Sequence, residues 1–198
     1  MYSIITILNI VINEGKQAMT KIAVFVGSLR EKSTNMALAK ALESMAPAGM
    51  EFDYIPIEMP LFNEDVEQAA FPAEVQAVKD RVNAADGVLI VSPEYNRSVP
   101  GVLKNAIDWV SRPYGQSAFT NKPVGVVGSS GGPVGTAIGQ ADIRRIMLFQ
   151  NAKVLGQPEI YVANAGEVFD DNGALLSERW AKNFKQFMDA FAAWVDQK

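Results

Sequence analysis

The chain has 198 residues, 48% of them apolar and 20% charged, which fits one ordinary soluble globular domain with a sizeable core. Its net charge of -4 argues against a nucleic-acid or anionic-membrane surface, since both need concentrated Lys and Arg. With no Cys and no His, the chain has no disulfide, thiolate nucleophile, thiolate metal site or Ser–His triad, so an enzyme built on it would draw its chemistry from a cofactor.

The stretch Ile4 to Ile12 is apolar but too short to span a bilayer. No basic segment precedes it and no small-residue cleavage site follows, so a secretory signal is not expected. Met19 offers a second start directly before the first strand. Glu14-Gly15-Lys16 would be encoded by purine-rich codons, like a ribosome-binding site ahead of a true start. Residues 1–18 are thus read as an extension, either untranslated in the native protein or peripheral to it. The domain is expected over 19–198.

From Lys21 the chain alternates strands and helices. Ile22 to Val26 is an unbroken apolar run, as in a strand covered on both faces. Ser33 to Ala46 carries Leu38, Leu42 and Met45 at helical spacing. Met50 to Ile57 reads as the second strand, residues 61–71 as irregular, and Pro72 to about Ala85 as a helix opened by proline. Gly87 to Val91 is the third strand, and Pro100 starts a helix with Leu103, Ile107 and Val110 on one face. Pro123 to Val127 is the fourth strand, followed by a helix over Thr136 to Gln150 and a short strand near Val154 to Val162. The last helix aligns Trp180, Phe184, Phe187, Phe191 and Trp194, a stripe with the spacing of a buried face. This pattern predicts an open, doubly wound parallel sheet, in which ligands sit beyond the carboxyl ends of the strands.

Three loops leave that edge. Gly27 to Asn35 enters a helix, where the dipole and free amides favour an anion. Ser28, Ser33, Thr34 and Asn35 add donors and Arg30 adds a charged fork, a set suited to a phosphate monoester. A capped strand-to-helix turn is the plainer alternative, but one cap accounts for only one of these residues. The loop lacks both G-x-G-x-x-G and the Gly-Lys-Ser/Thr ending of a P-loop, which disfavours a dinucleotide or ATP here. Ser92 to Gly101 follows the third strand; Tyr95 can wall a flat heteroaromatic ring, with Glu94 and Asn96 at its polar edge. A solvated turn with an incidental tyrosine is the alternative. Ser129-Ser130-Gly131-Gly132-Pro133 lets backbone approach a ligand closely.

Together, G-S-L-R-x-x-S-x-N, P-E-Y-N-x-S-x-P-G-x-L-K-N-A-I-D-W and the Ser-Ser-Gly turn resemble the NAD(P)H-dependent FMN reductases, in particular the bacterial branch described as quinone or chromate reductases. The resemblance runs from about Lys21 to the end of the chain. It implies an α/β flavodoxin-like fold with a five-stranded parallel sheet in the order 2-1-3-4-5, helices on both faces, and non-covalent FMN. By position, Ser28, Leu29, Arg30, Ser33 and Asn35 would form the phosphate site. Pro93, Glu94, Tyr95 and Asn96 would border the isoalloxazine, with Ser130 and Gly131 on its far side. Lys104, Asn105, Asp108 and Trp109 read as packing and interface residues. The resemblance also implies a homodimer or homotetramer, with Leu61 to Asp65 near a neighbour's site unless it is an ordinary surface loop. The helix start after Pro133 is more apolar than in some relatives, which puts tetramers in question.

The implied activity passes electrons from NAD(P)H through FMN to quinones or similar acceptors by a ping-pong mechanism, with chromate, azo and nitro compounds as opportunistic acceptors. No catalytic side chain, metal, nucleic acid or membrane partner is expected, and the location is expected to be cytoplasmic. Two rivals are a flavodoxin-type electron carrier without its own NAD(P)H oxidation, and a doubly wound domain with a different phosphate ligand or none.

Overall fold

In the computed structural model, residues 19–197 are described, so the reading of residues 1–18 lies outside them. The strands are β1 (Thr20–Val26), β2 (Met50–Tyr54), β3 (Gly87–Val91), β4 (Pro123–Ser129), β5 (Lys153–Val154) and β6 (Ile160–Val162). The helices are α1 (Thr34–Ser44), α2 (Glu64–Ala69), α3 (Ala73–Ala84), α4 (Gly101–Val110), α5 (Ala137–Phe149), α6 (Ala165–Val168) and α7 (Glu178–Val195).

The sheet is parallel, in the order β2-β1-β3-β4-β5, with β6 also paired to β4. This is the expected flavodoxin-like order. Alternation along the strands sends side chains to two separate cores. On one face Ala23, Phe25, Val88, Ile90 and Val126 meet Val82 of α3, Leu103 and Ile107 of α4 and Ile143 of α5. On the other, Ile22, Val24, Leu89 and Val91 meet Leu38 and Leu42 of α1 and Phe184, Phe187 and Phe191 of α7. Trp180 and Trp194 are half-buried against that second core, so the aromatic stripe is packing. No helix among the described residues is long and apolar enough to cross a membrane, and none of their acidic residues cluster to hold a metal.

Two elements differ from the sequence expectation. Residues 61–71 are not wholly irregular: α2 begins after Asn63, whose Oδ1 accepts from Asp65 N–H at 2.9 Å. None of its residues is buried, so it has no apolar period to read. It is pinned from outside, by Arg112, which pairs with Glu67 at 2.8 Å and Glu64 at 3.5 Å. Lys79 is buried beside it and donates to the Arg112 carbonyl; burial holds its ammonium below the usual lysine range. Asn105 and Trp109 of α4 fix the preceding segment. Asn105 accepts from Phe62 N–H at 2.8 Å and donates to the Pro60 carbonyl, which also takes the Trp109 indole N–H at 2.7 Å.

The last strand is split. Val124 pairs with Val154 and Val127 with Ile160, so two residues of β4 face five of the edge chain. Pro158, which has no N–H to give, lies in the part that loops out. Arg144 of α5 bridges the gap: its guanidinium donates to Leu155 O at 2.7 Å and to Val126 O at 3.1 Å. A charged side chain thus takes over the carbonyls that an unbroken ladder would have satisfied.

At the far edge, the Arg81 guanidinium hydrogen-bonded to Asp53 at the end of β2 holds that carboxyl below the usual carboxylate range.

Candidate functional site

The carboxyl ends of β1, β3 and β4 bring all three loops around one cleft of about 280 Å³. From the first loop come Ser28, Arg30, Ser33, Thr34 and Asn35; from the second, Pro93, Glu94 and Tyr95; from the third, Ser129 to Gly132. Leu29, 58% exposed, and Asn96 are outside the lining. Thr34, named with the first-loop donors, and Ser129 and Gly132 of the glycine turn line it as well.

The first loop is rich in groups with spare donors. Ser33 caps α1, its Oγ accepting from Met36 N–H at 3.3 Å while its carbonyl takes Ala37 N–H. Its hydroxyl hydrogen stays free to donate, and so does that of Ser28, whose Oγ accepts from Arg30 N–H at 3.4 Å. The amides of Thr34 and Asn35, in the first turn of α1, make no hydrogen bond within the described residues. Nor does the Arg30 guanidinium have a partner there. Hydroxyls, helix amides and an uncompensated guanidinium on one side of a cleft fit a phosphate monoester dianion.

Asn35 is spent differently. It is 3% exposed; its Nδ2 donates to Ser129 O at 3.0 Å and its Oδ1 accepts from Ser129 N–H at 2.9 Å. The side chain is a clamp between α1 and the end of β4. At most the second amide hydrogen is left for a ligand. Ser129 Oγ donates to Thr34 Oγ1 at 3.0 Å, which closes the floor of the cleft.

Glu94 is also committed elsewhere. Its side chain is 7% exposed, and Oε2 accepts from the backbone N–H groups of Ile138 at 3.0 Å and Gly139 at 2.9 Å. A carboxylate on those amides at the start of α5 both caps the helix and meets its dipole. The result ties the second loop to α5, reinforced by Ser98, whose Oγ donates to Asp142 at 2.7 Å. Glu94→Ala should therefore lower stability by about 1–2 kcal/mol, while Glu94→Gln keeps the accepting oxygen and should lose less. Urea midpoints of the two variants check this, and equal midpoints would contradict it.

Between these anchors Tyr95 and Ser98 exchange backbone hydrogen bonds at 3.1 and 3.0 Å, with φ of 51° at Asn96 and 64° at Arg97. Two consecutive positive φ values make a tight hairpin turn of the primed kind. Asn96 sits at its tip, and Tyr95, 48% exposed, stands at its foot on the rim of the cleft.

On the third side, Ser130 N–H donates to Val162 O at 2.9 Å, so β6 fixes the glycine turn. Behind it lies Tyr161, whose hydroxyl is pushed up to about 12 by burial and by its hydrogen bond to Glu159. It stays neutral at physiological pH.

Residues 20–167 match the family model described as NADPH-dependent FMN reductase. The chain is 47% identical over 176 residues to a 2-hydroxy-1,4-benzoquinone reductase from Burkholderia sp, covering 88% of this chain and 96% of that one. It is 42% identical over 175 residues to a quinone reductase from Pseudomonas putida, covering 88% and 94%. Among solved structures, the flavoenzyme NAD(P)H:(acceptor) oxidoreductase FerB from Paracoccus denitrificans superposes with a TM-score of 0.84 at 39% identity, covering 90% of this chain and 98% of its own. With the matched fold, the three loops on one cleft and a family match across most of the chain, this protein belongs to the NADPH-dependent FMN reductase family of oxidoreductases.

Proposed function

We propose that this chain holds FMN non-covalently in the three-loop cleft and passes electrons from NAD(P)H to quinone-type acceptors. The observation that carries the reading is the unpaired donor set of the first loop, facing Tyr95 and the glycine turn across one cleft. The quinone reductase names of the Burkholderia and Pseudomonas relatives favour the acceptor class.

FMN held there would supply the two-electron redox chemistry, between a hydride donor and a quinone-type acceptor. The chain's own residues bind and orient. Ser28, Arg30 and Ser33, with the amides of Thr34 and Asn35, hold the phosphate; Leu29 serves through its place in the loop rather than its side chain. Asn35 and Glu94 act mainly as positioning residues, one for the third loop and one for the second. Pro93, Tyr95, Ser130 and Gly131 border the ring, and Asn96 shapes the turn that carries Tyr95. No side chain has to move a proton for hydride transfer, in keeping with a chain that lacks His and Cys.

Tyr95 is 48% exposed on the rim of the cleft, which favours a ring with one face open to solvent. One open face serves both substrates in turn, which gives ping-pong kinetics and admits chromate, azo and nitro acceptors alongside quinones. Exposed Leu61, Tyr114 and Phe149 favour a homodimer or homotetramer, and the cytoplasm, with its NAD(P)H, is the compartment assigned.

Initial rates with NADPH and a soluble benzoquinone varied together test this. Parallel reciprocal lines are expected. Intersecting lines would contradict the shared face, and negligible turnover would favour a flavodoxin-type carrier.

A further inference from the structure

A second cleft, of about 440 Å³, lies on the other side of the phosphate loop and shares Arg30, Ser33 and Thr34 with the first. Its base is Met36 and Ala37 of α1, and its far wall is Phe169 with the turn 170–173. That wall is built, not loose. Asp170 Oδ1 accepts from the N–H groups of Asn172 and Ala174, both at 2.8 Å, and Phe169 pairs with Leu175 across the turn. Gly173 lies close enough that an added Cβ would sit 3.3 Å from Ala37 Cβ.

The charges around this cleft are unevenly committed. Lys40 is engaged by Glu43 at 2.9 Å, and Asp170 faces the amides of its own turn. Glu31 and Asp171 are exposed to solvent, as are Arg30 and Lys32. Arg30 and Lys32 are the cations of the phosphate-loop rim, and neither side chain has a partner among the described residues. Met36 is 36% exposed and offers a polarizable thioether wall to a flat ring. The cleft thus combines an apolar wall, Lys32 as a rim cation that the first cleft does not share, and Asp171 and Asn172 as acceptors on the other rim.

We propose that this cleft seats the adenosine-phosphate half of the reduced pyridine nucleotide, with Lys32 on a phosphate, Met36 against the adenine, and Asp171 or Asn172 accepting from the ribose hydroxyls. The inference rests on the reading of the adjoining cleft as the FMN site of an NAD(P)H-oxidising enzyme. The loop from Ser28 to Asn35 then serves two ligands: its inner side holds the FMN phosphate and its outer side steers the second substrate. Only the nicotinamide half has to reach the open ring face.

The test uses FMN-loaded protein and the exposed-site variants Lys32→Glu and Met36→Glu. Calorimetry with 5′-AMP reads the cleft without turnover, and flavin content reads the cofactor site. Steady-state rates are compared for NADH, NADPH and N-benzyl-1,4-dihydronicotinamide, a reductant with no adenosine half. The native protein should bind 5′-AMP, and both variants should bind it more weakly. The KM for both nucleotides should rise about ten-fold or more in Lys32→Glu, the scale of one charge-assisted hydrogen bond. Turnover with the truncated reductant and flavin content should hold. No 5′-AMP binding by the native protein, an unchanged KM in Lys32→Glu, or an equal loss with the truncated reductant would overturn the proposal. A native protein that binds 5′-AMP, weakened in both variants, yet oxidises neither kind of reductant would sink the reductase reading and leave the nucleotide cleft standing.

Discussion

Gly128→Ala is expected to lower the stability of the domain by about 3 kcal/mol, the upper end of the cost of overpacking, and to abolish FMN retention. Gly128 is the residue of β4 where three parts of the site press together. A Cβ there would overlap the Ser92 carbonyl oxygen and the Thr136 hydroxyl, and would lie 3.2 Å from Thr136 Cβ. Neither obstacle is the free end of a flexible side chain. Ser92 is fully buried at the end of β3, and Thr136 is 1% exposed at the start of α5, held at φ 68° and hydrogen-bonded through Oγ1 to Gln140 at 2.9 Å. To admit one methyl group, β4 must move away from the second loop or from α5. Either movement displaces Ser129, and with it the Asn35 clamp and the glycine turn. Circular dichroism melting and flavin content after purification measure the two effects. Gly101→Ala, where an added Cβ meets nothing within 4 Å, is the control and should leave the midpoint nearly unchanged. A Gly128→Ala protein that melts like the control would show that the strand ends are not packed this tightly.

Arg30→Ala should weaken FMN binding by about 1.5–3 kcal/mol, the scale of a hydrogen bond to a charged group, and leave folding intact. The separation of effects follows from the free side chain: Arg30 is exposed and its guanidinium has no internal partner to lose. What it loses is the one formal positive charge among the described residues that line the cleft. Fluorescence titration of apoprotein with FMN gives the affinity. Riboflavin, which has no phosphate, should bind the variant and the native protein equally. An unchanged FMN affinity would remove the phosphate from this loop.

Much of this arrangement is legible in the sequence, for a physical reason that varies by element. Ile22 to Val26 and Gly87 to Val91 are unbroken apolar runs because helices cover both faces of the sheet, and the strands fall where those runs are. Pro72, Pro100 and Ser33 mark helix starts through local geometry alone. By contrast, no residue of α2 is buried and the helix is fixed through Glu67 by Arg112, 45 residues on, so no local pattern announces it. The split edge strand depends on Arg144 reaching two backbone carbonyls from another layer.

The site residues carry a similar lesson. Residue type tells which side chains can donate or accept, but not which have already done so. Asn35 and Glu94 line the cleft, and the sequence does not show that Ser129, 94 residues from the one, and Ile138 and Gly139, 44 and 45 residues from the other, already engage their side chains. Arg30 and Ser28 keep theirs free to donate. The distinction between holding the cofactor and holding the loop that holds it is a product of tertiary closure, and it alters what each substitution should do.

One anaerobic spectrum decides whether the three-loop cleft makes this chain an FMN-dependent NAD(P)H oxidoreductase. FMN-loaded protein is mixed with NADPH in the absence of any acceptor, and the visible absorbance of the bound flavin is followed. Rapid bleaching is expected, with full return of the colour when a benzoquinone is added. Bound flavin that NADPH and NADH both leave unbleached, or a protein that takes up no FMN, would contradict that assignment.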